Sequence, residues 1–149
     1  MLIDAHSHWL PDEIIANAHF FHQAWGDIET QLKMMDASGV QRAVLSYPTT
    51  DAHLKLGSIS QVAHIYNDAV GEILKRYGSR FIGAAILPLD NSTDITEELK
   101  RATGELGFKA ISLAAWLFRY LRLWSLSGPR KFDVRRVERQ ASASVHVPL

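Results

Sequence analysis

Four short apolar segments, separated by stretches with helical periodicity, constrain the fold of this 149-residue chain more than any other feature. The segments begin near residues 2, 40, 81 and 108, and a helical segment follows each of the first three. Residues 82–87 are apolar throughout, which is typical of a strand covered on both faces. The alternation predicts an α/β protein with a parallel sheet. Two architectures fit it: an open doubly wound sheet, or four strands of a (β/α)8 barrel.

Turn and capping residues predict where the helices begin and end. Gly39 follows the first helical stretch, and Ser58 stands three residues before Gln61, as in a capping box. Asp94 and Glu97 repeat that spacing before the third helical stretch. Residues 7–26 show no clear periodicity and are predicted to be a long connection. The predicted helices cover residues 28–37, 59–77 and 94–106.

The first strand, Ile3–His8, ends in a His-x-His pattern. Because side chains alternate along a strand, Asp4, His6 and His8 are predicted to share one face, with the histidines about 7 Å apart along the backbone. Two imidazoles so placed can converge on one metal ion, and the alternative is a hydrogen-bonded histidine pair. Asp4 is predicted to accept an imidazole N–H behind the ligands or, alternatively, to cap a buried backbone group.

The composition excludes several classes of function. The formal net charge is zero, which argues against bulk binding to nucleic acid or to an anionic membrane. The chain has no cysteine, so a metal site must use His, Asp or Glu. Neither a signal-peptide pattern nor an apolar run of about 18 residues is present, and a cytoplasmic location is therefore expected.

The C-terminal residues differ in charge from the rest of the chain. Residues 1–115 hold 9 Lys and Arg against 14 Asp and Glu, whereas residues 116–149 hold 7 against 2. We expect two parts: 1–115 as a partial barrel and 116–149 as a basic, Arg- and Ser-rich tail. Two interpretations of the tail are open, a disordered or surface-draped terminus and a sequence that has left its native reading frame near residue 115.

Five segments resemble, in order and spacing, the amidohydrolase superfamily. Within it they are most similar to the amidohydrolase-related group that includes aminocarboxymuconate-semialdehyde decarboxylase and the resorcylate decarboxylases. The resemblance covers approximately residues 2–114. A single His-x-His motif would be a weak signal, and the series of segments is more specific. The segments are Ile3–His8, Met35–Ser46, Arg80–Gly83, Leu87–Leu89 and Leu106–Ile111.

The resemblance implies a (β/α)8 barrel with a divalent metal, usually zinc, at its C-terminal mouth. It assigns His6 and His8 to the metal-binding pair on the first strand. The family's further groups, a His on strand five, a His on strand six and an Asp on strand eight, have no matching position here, so no catalytic residue is assigned. The faint strand-five resemblance around His146 carries no assignment.

The implied activity is that of a metal-dependent hydrolase or nonoxidative decarboxylase acting on a small molecule, and this chain alone is expected to be inactive. The alternative is a non-catalytic fragment or an assembly module that needs another chain to complete the barrel. Four strands alone would leave open sheet edges, which favour marginal stability and homo-oligomers or aggregation.

Polar residues outside the first strand carry weaker signals. His19 and His22 lie in the first connection, where they could hold substrate or belong to a helix that packs its aromatic residues. His64 is expected to be a satisfied surface histidine. Asp68 and Glu72, four residues apart, are expected on a solvated helix face.

Overall fold

The computed structural model describes residues 1–89 and 92–113, and Met1–Ser112 forms one compact unit. A short 3-10 helix, Gln23–Gly26, lies between the first two α-helices. The elements in chain order are β1 (Ile3–His8), α1 (Asp12–Asn17), α2 (Ile28–Ala37), β2 (Arg42–Ser46), α3 (His53–Leu56), α4 (Ile59–Tyr77), β3 (Phe81–Ala85), α5 (Ser92–Gly104) and β4 (Ala110–Ile111).

The four strands form one parallel sheet in the order β1-β2-β3-β4. This order decides between the two architectures, because a doubly wound sheet reverses its strand order at a switch point, whereas a barrel adds each strand beside the last. The sheet is thus part of a (β/α)8 barrel, which confirms the predicted fold class. It also brings the C-terminal ends of all four strands to one edge.

The core lies between one face of β2 and β3 and the long helix α4. Ala43, Leu45 and Phe81 are at most 1% exposed and pack with the apolar stripe of α4. The capping box starts α4 as predicted, since Ser58 Oγ accepts the Gln61 N–H at 3.0 Å. The helix stripe consists of Val62, Ala63, Tyr66, Val70 and Ile73.

Helix α2 also has the predicted bounds. Asp27 caps its N-terminus by accepting the Thr30 N–H at 2.9 Å, and this hydrogen bond is the main cause that lowers the pKa of Asp27. Gly39 ends the helix region with φ +70°, a left-handed conformation that glycine adopts without strain. Local signals alone therefore place this helix.

The first connection is more ordered than predicted. It contains α1, whose N-cap position is Pro11, and the 3-10 helix. Six residues are too few for a 3.6-residue period to show in the sequence, although Ile14 and Ile15 are buried. The four-residue α3 was missed for the same reason. Helix α5 spans Ser92–Gly104, two residues earlier than predicted at both ends.

Gly83 in β3 is required by close packing. A Cβ at this position would lie 2.8 Å from the Phe108 ring and 2.9 Å from Leu74 Cδ1. We expect Gly83→Ala to lower the free energy of unfolding by about 1–3 kcal/mol, as overpacking of a core does. Chemical denaturation would measure the loss. Gly104→Ala is the matched control: its Cβ would meet nothing within 4 Å, so neutral or improved stability is expected there. Equal effects at both positions would contradict the packing argument.

In the part of the chain that the structure describes, no helix is both long and apolar enough to cross a bilayer. The predicted division at residue 115 and the basic tail, including His146, lie outside the described residues. The two interpretations of the tail therefore stay predictions.

Candidate metal centre

The two histidines at the end of β1 converge. His6 Nε2 lies 3.1 Å from His8 Nε2, and the rings meet edge to face with centroids 4.5 Å apart. Two nitrogen ligands of a tetrahedral zinc, each at about 2.0–2.1 Å from the ion, would be separated by about 3.3 Å. The spacing of the two Nε2 atoms therefore fits two ligands of one metal ion.

The other ring nitrogen of His8 is held by β2. His8 Nδ1 lies 3.2 Å from both the carbonyl oxygen and the hydroxyl oxygen of Ser46. The carbonyl can only accept, and the hydroxyl proton is directed to Ser7, so these contacts favour the neutral tautomer with its proton on Nδ1 and its lone pair on Nε2. Ser46 Oγ in turn donates to the carbonyl of Ser7 at 3.1 Å, which ties the two strands together. A backbone carbonyl behind a histidine is a common way of orienting a metal ligand.

This arrangement also serves the alternative reading. With its lone pair on Nε2, His8 can accept a hydrogen bond from the Nε2–H of His6 when no ion is bound. The same geometry thus fits both a bound ion and a direct hydrogen bond between the two rings. Sequence reasoning missed Ser46, and only the pairing of His8 with Ser46 in the β1–β2 register could have identified it.

A β-bulge in β1 corrects the predicted position of Asp4. Asp4 pairs with Ala43 and Ser7 with Leu45, so three steps along β1 match two along β2. Asp4 therefore shares its face with Ser7, and the prediction that Asp4, His6 and His8 lie on one face is wrong. The Asp4 carboxylate accepts the backbone N–H of His6 at 3.0 Å, so it caps a backbone group as the alternative predicted, but this group is exposed and not buried. An indirect role of Asp4 toward the metal stays a prediction.

A cavity of about 330 Å³ separates β1 from α2. Asp4, Ser7 and His8 line its strand side, and Ser7 Oγ accepts a hydrogen bond from Gln31 of α2. Trp25 lines it as well, with its ring centroid 6.1 Å from that of His8. The Trp25 indole therefore lies beside the His8 ring, tilted by 34° from it.

The loops after β1 and β2 meet at the C-terminal edge of the sheet. The His19 ring is paired through Nδ1 with an oxygen of the Asp51 carboxylate, whose other oxygen accepts the His19 backbone N–H at 2.9 Å. These bonds from His19 hold the pKa of Asp51 below its usual value. His19 is therefore fixed across the two loops, a partnership that the sequence did not indicate. His22 occupies the N-cap of the 3-10 helix without a side-chain cap.

A polar network joins α4 to α5. His64 and Asp68 are both exposed, as predicted, and each also has a partner on α5: His64 contacts the buried Glu98 at 3.1 Å, and Asp68 is paired with Arg101. Glu72 also lies at the surface, where it is paired with Lys75. The contacts of His64 with Glu98 and of Asp68 with Arg101 join residues 34 and 33 positions apart, which helix periodicity cannot reveal.

Among residues 1–89 and 92–113, no group of three or more His, Asp or Glu side chains is arranged to hold a metal ion. His6 and His8 are thus the two candidate ligands that the described residues bring together. Zinc with only two protein ligands would lack the third that catalytic sites usually have.

Comparison with known proteins gives the site a context. The γ-resorcylate decarboxylase of Rhizobium radiobacter is 35% identical over 82 residues, which cover 54% of this chain and 25% of that protein. The 2,6-dihydroxybenzoate decarboxylase from Rhizobium matches with a TM-score of 0.59 and 27% identity, over 74% of this chain and 37% of that one. The dihydroxybenzoic acid decarboxylase from Polaromonas sp. JS666, solved with manganese and 2-nitroresorcinol, matches with a TM-score of 0.60 and 24% identity over 74% and 37%.

The homologues and structural neighbours are thus decarboxylases of the amidohydrolase superfamily, matched over part of the chain, which confirms the predicted resemblance. The chain spans about a quarter to two-fifths of the length of these relatives. No protein-family model matches it. Two of the neighbours were solved with manganese bound, and small aromatic ligands are present in some of the structures: 2,6-dihydroxybenzoate in one complex and 2-nitroresorcinol in another.

Proposed function

We propose that this chain contributes the β1 metal ligands of a nonoxidative decarboxylase that acts on a hydroxylated aromatic carboxylic acid. The observation that carries the proposal is the 3.1 Å approach of His6 and His8 through Nε2, with the His8 tautomer favoured by the Ser46 carbonyl. Homology to γ-resorcylate decarboxylases over 82 residues supports decarboxylation over the hydrolysis that the wider family also performs.

Each residue of the site has a separate task in this proposal. His6 and His8 would hold a divalent ion through Nε2, and the bulge in β1 moves His6 off the face that Asp4 and Ser7 share. Ser46 favours the His8 tautomer with its proton on Nδ1, and Trp25 lies beside that ring. When bound, the ion would supply a Lewis acid that polarises a substrate oxygen. Zinc is the metal that the sequence resemblance suggests, and manganese is the one bound in the Polaromonas relative.

We also propose that this chain alone does not turn over substrate. The described residues supply two candidate ligands, and β1 pairs with only β2 within them, while Leu2 and Ile3 are 54% and 39% exposed. An open strand edge with apolar residues beside it favours pairing with another strand. This observation supports the second candidate function, an assembly module whose site is completed by another chain. A cytoplasmic location is part of the proposal and rests on the sequence alone.

Paramagnetic broadening by Mn²⁺ would test the metal site. We expect submillimolar to millimolar Mn²⁺ to broaden the imidazole NMR signals of His6 and His8 before those of His53, which lies on α3 and serves as the control. Zn²⁺ should compete for the same site. Broadening that begins at His53, or none at any histidine, would contradict the proposal. Release of CO₂ from 2,6-dihydroxybenzoate by the isolated chain would contradict the expected inactivity.

A further inference from the structure

The pair formed by His19 and Asp51 has the form of an oriented proton acceptor. Both carboxylate oxygens of Asp51 are bonded to His19, one to the backbone N–H and the other to Nδ1 of the ring. The carboxylate can only accept, so in the neutral ring the proton is on Nδ1 and the lone pair is on Nε2. Within the described residues no hydrogen bond to Nε2 is found, and the His19 side chain is 62% exposed.

The pair stands at the same sheet edge as the candidate metal centre. His19 follows β1 and α1, and Asp51 follows β2, so both belong to loops at the C-terminal ends of parallel strands. In a barrel, these loops surround the mouth. Within the first of them, Phe21 packs edge to face on Trp25 at 5.0 Å, and Trp25 packs beside His8. The loop that carries His19 is therefore anchored beside the metal-ligand candidate.

The backbone around the pair holds uncommon conformations. Phe20 and Thr49 have φ of +68° and +53°, the left-handed region that non-glycine residues rarely adopt. Such conformations cost free energy and persist where neighbouring contacts enforce them. The bonds between His19 and Asp51 lie beside both residues and supply such contacts.

We propose that the His19–Asp51 pair binds a phenolic hydroxyl at the mouth of the barrel, with His19 Nε2 accepting the O–H of a dihydroxylated aromatic ring. A carboxylate-bound imidazole with a free Nε2 is matched to a hydroxyl donor, as in hydrolase triads. The inference rests on the proposed function for its choice of ligand class, because decarboxylation of a dihydroxybenzoate leaves a dihydroxybenzene. The contact itself needs no metal, since it uses only this pair.

Resorcinol, which has two phenolic hydroxyls and no carboxylate, is the probe. In the full chain with EDTA present, we expect resorcinol to shift the His19 imidazole signals and the backbone amides of residues 19–20 and 49–51. The dimethyl ether, 1,3-dimethoxybenzene, cannot donate a hydrogen bond and should leave them unchanged. His19→Gln should weaken resorcinol binding roughly fivefold or more, the value of about one hydrogen bond, and Asp51→Asn should weaken it to a lesser degree.

His53→Gln, at another histidine of the β2 loop region, is the matched control and should bind resorcinol as the parent chain does. Amide spectra would verify that each variant is folded. Equal binding of resorcinol and its dimethyl ether, unchanged binding by His19→Gln, or no binding at all would overturn the inference. Adding Mn²⁺ separates the two proposals: resorcinol shifts at His19 without broadening at His6 and His8 would refute the metal site alone, and the reverse pattern would refute the pair alone.

Discussion

His8→Ala is expected to abolish site-specific binding of Mn²⁺ or Zn²⁺ at the end of β1, with a loss of affinity of about 100-fold or more. Loss of a group that only orients a ligand commonly costs 10–100-fold, and the ligand itself should cost at least as much. His6→Ala should have the same effect, because each variant leaves a single imidazole. Isothermal titration and the Mn²⁺ broadening experiment would both measure the change.

Ser46→Ala provides a sharp control for this prediction. The carbonyl and the hydroxyl of Ser46 both lie 3.2 Å from His8 Nδ1, and alanine retains the carbonyl. Because the hydroxyl donates to Ser7 and only the carbonyl is a fixed acceptor for Nδ1–H, metal affinity should stay near that of the parent chain. A large loss in Ser46→Ala would show that the hydroxyl matters more than the carbonyl. Parent-like affinity in both histidine variants would place the metal elsewhere.

Arg101→Met is expected to lower the free energy of unfolding by about 3–5 kcal/mol, the largest effect on stability. Glu98 is 2% exposed, and Arg101 donates to both of its carboxylate oxygens, at 2.9 Å and 2.8 Å. Asn67 donates to the same carboxylate at 2.6 Å. Without the guanidinium, Glu98 would be left as a buried charge with only a neutral amide and His64 beside it.

A double-mutant cycle would separate this buried charge from the loss of packing. The variant with both Arg101→Met and Glu98→Met should recover much of the stability, because replacing both partners leaves no unpaired charge. Lys75→Met removes an exposed pair with Glu72 and should change stability by about 0.5 kcal/mol or less. Additive effects of the two changes in the cycle would contradict the account.

Asn67 connects this network to the sheet, so the network supports the fold as well as the contact between α4 and α5. Its amide group donates to the carbonyl of Ile86 at 2.9 Å and accepts the Ile86 N–H at 3.0 Å. The side chain thus satisfies the backbone just beyond β3, where the strand has ended and no ladder partner remains. The same residue reaches Glu98, so the end of β3, α4 and α5 are fixed together.

The parts of this structure that the sequence predicted depend on local signals. The α4 helix spans Ile59–Tyr77 as predicted. A capping box marks its N-terminus, and an apolar stripe with a 3.6-residue period runs along it. The barrel was one of two predicted architectures, and the family resemblance favoured it. Strand order, which decides the matter, is a property of long-range pairing that no local pattern records.

The parts that the sequence did not predict depend on contacts between distant segments. The bulge in β1 arises from its register against β2, so strict alternation misplaced Asp4. The partners of His19, His64 and Asp68 lie 32 to 34 positions away in the sequence. The spacing rules for helices and strands cover only near neighbours and cannot predict such pairs. The sequence correctly predicted that His6 and His8 lie next to each other, because the two residues are only two positions apart on one strand.

The extra residue in β1 has a consequence for what the strand can contact. In a regular strand paired from Asp4 onward, His6 would stand opposite Leu45 and face the helices. The bulge shifts the phase, so Asp4 and Ser7 share a face and His6 is moved off it. The strand can therefore bind α2 through Ser7, which lies between the two histidines, and still bring His6 and His8 together.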